Sequence, residues 1–206
     1  MAVRGDAARS ALVEAAERLF AQNGIEGVSL RDVSSAAGQR NHNAAQYHFG
    51  DRLGLVAAVY ENRMQVVEAR RRVCLVDVAD DDVRGLVAAI VVPLVEVVAE
   101  ADGWYARFQA RLRWEPTSWE ALQRVTAGSS FTAAMRKLNR ALGDVPRPIR
   151  HSRLDQLMTL VIGTIAGWEG AGDRGASRLS ADALEHELIS TGVAVLTAPV
   201  LEGASK

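Results

Sequence analysis

The 206-residue sequence contains a single cysteine, Cys74, and five prolines. One cysteine excludes an internal disulfide and a cysteine-rich zinc site, and points to a reducing, cytoplasmic setting. Lysine is almost missing: two residues, against 22 arginines. With abundant alanine and valine, that bias is what a GC-rich genome produces. Neither charge dominates, since 24 basic and 25 acidic residues leave a net charge of −1. Nucleic-acid binding would therefore have to come from a local surface. The longest apolar runs, Leu86–Val95 and Leu157–Ala166, fall short of the roughly 20 residues of a membrane span. Arg4, Asp6 and Arg9 stand where a signal peptide would need an apolar core. Catalytic signatures are missing too. There is no glycine-rich phosphate loop, no nucleophile elbow and no His-Glu-x-x-His. His42 and His48 have no cysteine or acidic partner at metal-ligand spacing. The expectation is a chain that is not an enzyme, uses no cofactor, binds no metal and enters no membrane.

The sequence has enough apolar residues, 49%, to bury a core, and they repeat at helical spacing. Leu12, Ala15, Ala16, Leu19 and Phe20 form one stripe on a helix expected over Asp6–Gln22, closed by Asn23-Gly24. Ser29 and Asp32 have the spacing of a capping box, flanked by Val28 and Val33 as a hydrophobic staple. They start a short helix over Leu30–Ala37. Gly38 allows a tight turn, and a second short helix is expected over Asn41–His48. Longer helices are expected over Leu53–Leu75, Val83–Glu100 (bent at Pro93), Trp104–Trp114, Ser118–Ala127, Ser130–Leu142, Arg150–Gly170 and Ser180–Leu196. No strand pattern intervenes. The fold class is all-α, with a three-helix head containing a helix-turn-helix over residues 1–52 and a larger helical domain over 53–206.

Two short helices around a glycine turn are a weak signal alone. Particular residues strengthen it. Ala11–Phe20, Gly24, Val28–Val33, Ala36-Ala37-Gly38 and Tyr47-His48-Phe49-Gly50-Asp51-Arg52 together resemble the DNA-binding region of the TetR family of bacterial transcriptional regulators. The resemblance covers about Ala7–Tyr60. It implies that Tyr47, His48 and Arg52 hold the DNA backbone. It further implies a homodimer, a double-stranded operator, and release by an apolar small-molecule effector bound in the later helices.

Chemistry distributes the remaining roles. Ser29 and Arg31 begin the support helix, where backbone N–H groups can meet a phosphate. Arg40, Asn41, His42, Asn43 and Gln46 are the candidate base readers, since arginine suits guanine and Asn or Gln suits adenine. Ala44 and Ala45 are small enough for close approach to a base or for contact with a thymine methyl group. Phe49 fits a core position. Trp104, Phe108, Arg111, Trp114, Phe131 and Trp168 are candidates for the effector site, with Trp119 in the same aromatic group, although aromatic stripes at this spacing also suit plain core. Leu154, Leu157, Val161, Ile165, Leu184, Leu188 and Val195 line the last two helices and are the candidate dimer contacts. One feature of the head opposes DNA binding: residues 1–52 hold six arginines and six acidic residues. A helical ligand-binding protein acting on a protein partner, or a small helical enzyme, are the alternatives.

Overall fold

The computed structural model describes residues 2–101, 103–116 and 129–200. The described residues form helices and no strands. In chain order they are α1 (Ala2–Asn23), α2 (Leu30–Ala36), α3 (Ala44–Phe49), α4 (Arg52–Cys74), α5 (Val83–Glu100), α6 (Tyr105–Arg113), α7 (Ser130–Ala141), α8 (Arg147–Asp173) and α9 (Ala181–Thr197). The helix expected over Ser118–Ala127, with Trp119, lies outside the described residues.

Local chemistry explains most helix ends. Ser29 caps α2 through the predicted capping box, and Val28 and Val33 on either side are both buried. Asp51 starts α4 by accepting the Gly54 N–H at 2.8 Å. Ser129 and Ser180 cap α7 and α9. Gly24, Gly38 and Gly50 take positive φ at the turns that separate the first four helices. Several boundaries differ from expectation by three residues or more, among them the start of α1, at Ala2 and not Asp6, and the end of α8, at Asp173 and not Gly170. Helix α3 begins at Ala44, because Asn41 to Asn43 form a turn in which Asn41 Oδ1 accepts the Asn43 N–H at 3.0 Å. Helix α8 begins at Arg147, with Pro148 inside its first turn, where no backbone N–H is required. Pro93 lies within α5 and does not end it.

The chain packs as two units. Unit 1 takes α1 to α3, the first part of α4 to Gln65, and α6. Its core joins Leu12, Ala16 and Phe20 of α1 to Leu55 and Val59 of α4 and to Tyr105, Phe108 and Leu112 of α6. The Phe20 and Phe108 rings stack at 6.1 Å, and the Tyr105 hydroxyl donates to the Tyr60 carbonyl at 3.1 Å. The division by packing thus falls within α4, between Gln65 and Val66, and it returns α6 to the head.

Unit 2 holds the rest of α4, with α5, α7, α8 and α9. Helix α5 is its centre and is buried along most of its length. Gly192 of α9 lies where a Cβ would crowd Leu157 of α8 at 2.8 Å and Val87 of α5 at 3.1 Å, so a side chain is excluded where the three helices meet. Arg153 is buried and donates to the carbonyls of Leu196 and Pro199, closing the C-terminal end of α9.

Candidate nucleic-acid interface

The two short helices are joined by one side chain. Ser34, fully buried in α2, donates to the Leu30 carbonyl at 2.9 Å and accepts the Ala45 N–H of α3 at 3.0 Å. One hydroxyl therefore ties α3 to α2 and satisfies an N–H in the first turn of a six-residue helix. Sequence reasoning missed Ser34, because a serine in mid-helix gives no sign of a partner 11 residues on. Replacing Ser34 with alanine strands a buried N–H and should cost about 1–3 kcal/mol. Chemical denaturation would show this as a lowered midpoint.

Helix periodicity then sorts the residues of α3. Ala44 and Ala45 are buried against the rest of the head. This corrects the expectation that they approach bases; their small size serves the packing of α3 on α2. Asn43, Gln46 and Tyr47 occupy the other side at i, i+3 and i+4, and all three are exposed. Tyr47 is 84% exposed, and its ring meets His48 edge-on at 5.2 Å. His48 is half-buried, and so is Phe49, with the Arg9 guanidinium 5.3 Å above its ring. Arg40, Asn41 and His42 are exposed on the turn before α3, and His42 Nδ1 lies 3.4 Å from the Ser35 hydroxyl. Asn43 makes no side-chain cap bond and keeps its amide available. Arg31 is exposed in the first turn of α2, and Arg52 is exposed at the start of α4.

The charges of the head are unequally employed. Asp32 accepts both the N–H and the hydroxyl of Ser29, at 3.0 and 2.6 Å. The Ser29 hydroxyl bond, then the backbone bond, holds its carboxyl below the ordinary value of 3.8. Asp51 is spent on the N-terminus of α4. Glu17 is buried, facing Arg63 and the Trp104 N–H. By contrast, Arg31, Arg40 and Arg52 make no ion pair among the described residues. Equal counts of acid and base thus conceal that Arg31, Arg40 and Arg52 are exposed and outside any ion pair among the described residues, with Arg31 also acting on the neighbouring Asp32, while several of the carboxylates serve as caps or sit inside.

The remaining candidates fall in separate places. Trp104, Phe108 and Arg111 belong to unit 1 and face α1: Trp104 N–H donates to Glu17, Phe108 stacks on Phe20, and Arg111 Nε lies 3.4 Å from the Ala21 carbonyl. Trp114 caps the end of α6 and is 72% exposed. Phe131 and Trp168 belong to unit 2. The Arg71 guanidinium lies over Phe131, whereas Trp168 donates to the Leu179 carbonyl and carries Arg178 on its ring at 3.9 Å. No single unit gathers these six. Of the candidate dimer residues, Leu154, Leu157, Val161, Ile165, Leu184 and Leu188 are buried within the protomer, and Val195 is half-buried. Their stripe is the inner face of α8 and α9. Among the described residues, no helix is long and apolar enough to cross a membrane.

Comparison with known proteins agrees with this geometry. Residues 12–59 match the profile of the bacterial regulatory proteins, tetR family. No curated protein matches the sequence. A TetR-family regulator structure from Rhodococcus sp. is 21% identical, covers 92% of this chain and 99% of its own, and superposes with a TM-score of 0.59. A TetR-family regulator from Marinobacter aquaeolei VT8 gives 17%, 95%, 98% and 0.61. AibR, solved in complex with isovaleryl coenzyme A and operator DNA, gives 16%, 89%, 97% and 0.61. At such identities the structural likeness establishes the fold, and the profile match establishes the head. The chain thus has the helical fold of the TetR-family regulator structures, and its residues 12–59 match the profile of the bacterial regulatory proteins, tetR family.

Proposed function

We propose that the protein is a transcriptional repressor that binds a near-palindromic operator as a homodimer and leaves it when a small molecule binds. The surface of unpaired arginines around α3 carries this reading. Arg31, Arg52, Tyr47 and His48 hold phosphates and set the register of the head. The exposed side of α3 and the turn before it enter the major groove, where Asn43 and Gln46 read base edges and Arg40, Asn41 and His42 lie beside them. The Ser29 hydroxyl, already spent on Asp32, serves mainly to hold α2, and its role toward DNA passes to the backbone N–H groups it orders.

Two-fold pairing would run through α8 and α9. Their apolar stripe is used inside the protomer, so the outer faces of these helices are the contact we assign. The effector would act by favouring a conformation with low operator affinity. AibR, which was solved with an acyl coenzyme A and operator DNA together, gives a precedent for a small-molecule ligand on this fold.

Base-reading and phosphate roles separate experimentally. Asn43→Ala or Gln46→Ala should relax preference at one or two operator positions, by about 1–3 kcal/mol of discrimination for each good base contact. Competition binding with single-base operator variants measures this. A preference profile identical to that of the unaltered protein would remove these residues from base reading.

A further inference from the structure

Unit 1 also contains a groove of about 520 Å³ that shares no residue with the arginine surface around α3. Its walls come from α1, the C-terminal end of α2, Arg63 of α4 and the Gly103-Trp104 approach to α6. That volume suits a small organic molecule. Its lining is more polar than apolar: Glu14, Glu17, Arg18 and Arg63 give it charge, beside Trp104 and alanines such as Ala11 and Ala36.

The charges are incompletely matched. Glu17 is 4% exposed and already occupied: Oε1 accepts the Trp104 N–H at 3.0 Å, and Oε2 lies 3.6 Å from Arg63 Nε. At that separation the pair is ionic but not hydrogen-bonded. Arg63 Nε is buried and has no acceptor. That edge is turned to Glu17 and shut from solvent, but the Arg63 side chain is 30% exposed and lines the groove, so its remaining N–H groups are the ones a ligand carboxylate would meet. Arg18 lines the same groove, and so does Glu14, one helical turn away. Neither makes an ion pair among the described residues. Glu14 and Arg18 are therefore exposed and unspent, and Arg63 is only partly matched by Glu17.

We propose that this groove binds a small zwitterion of the amino-acid type. Its carboxylate would take Arg63 and Arg18, its ammonium Glu14, and its apolar body the alanines and Trp104. This is a ligand site in the head, additional to the effector action proposed above and independent of DNA binding. The test is an NMR titration of the full chain with phenylalanine, phenylalanine amide (no carboxylate) and N-acetylphenylalanine (no ammonium). Phenylalanine should shift the Arg63 Nε–H and Trp104 backbone N–H signals saturably. Each derivative should bind about tenfold more weakly or worse. Arg63→Gln should weaken phenylalanine by a similar factor. Ala11→Phe, which fills the groove and leaves the Glu17–Arg63 pair in place, should abolish binding in a protein of unchanged helicity. Absence of a saturable shift up to about 10 mM phenylalanine would overturn the proposal. Equal binding of all three compounds, or binding unaffected by Ala11→Phe, would overturn it as well.

Discussion

Replacing Tyr47 and Arg52 together with alanine should lower affinity for every DNA sequence alike, by roughly ten- to a hundredfold, with sequence preference unchanged. Both side chains are exposed, at the end of α3 and the start of α4, and the proposed function gives them phosphate contacts. Their contributions differ in kind. Arg52 makes no ion pair among the described residues, so its charge is available to displace a counterion. Its removal should flatten the dependence of log affinity on log salt by roughly one unit of slope. Tyr47 offers a neutral hydroxyl, so its removal should reduce affinity and leave the slope in place. Titrations of the two single variants at several salt concentrations separate these effects. A double variant with unaltered affinity would remove the phosphate role from both residues.

The largest loss of stability should follow removal of Arg71. This residue is 3% exposed. Its guanidinium pairs with Glu68, donates through Nε to the Ala89 carbonyl at 3.2 Å and lies over the Phe131 ring. Glu68 in turn accepts the Ser130 N–H at 2.7 Å and the Ser130 hydroxyl at 2.6 Å, which fixes the start of α7 on α4. Arg71→Ala leaves a buried carboxylate without its cation and should cost about 3–5 kcal/mol. The paired replacement Glu68→Leu with Arg71→Leu should cost less than Arg71→Ala, because it removes both charges at once. Urea denaturation of the two variants and the parent decides the matter. If the double variant were the least stable, hydrogen bonding to Ser130 and Ala89, and not charge pairing, would dominate the cluster.

What the sequence revealed about this molecule was mostly local. The Ser29–Asp32 capping box is an i, i+3 pattern, and the structure forms both of its bonds. Helix periodicity likewise foretold the buried stripe of α1, from Leu12 to Phe20. Periodicity says that a face is covered, but not by what. The stripe of α8 and α9, from Leu154 to Leu188, reads as a contact for a partner protomer, and the structure buries it in the chain's own core. The same ambiguity affected α6. Phe108 reads as either pocket wall or core, and the structure stacks it on Phe20 of α1; Trp104 meets α1 through a hydrogen bond between residues 87 positions apart and lines the groove there. Turn chemistry was legible in kind but not in register. Asn41 to Asn43 were expected to be helical, and the Asn41 side chain bonds the backbone ahead of α3 instead. Net charge is the least informative quantity: six against six in residues 1–52 does not say which groups are spent, and of the two capping carboxylates, Asp32 was legible in the capping box and Asp51 was not.

The claim on which the functional account rests is that the head recognises a specific duplex as one half of a two-fold pair. Selection of bound sequences from a random double-stranded pool, followed by titration of the winner at two salt concentrations, tests it most directly. The account predicts a near-palindromic winner with half-sites about one helical turn apart, bound with an affinity that falls steeply as salt rises. A pool that emerges from selection without enrichment would contradict it.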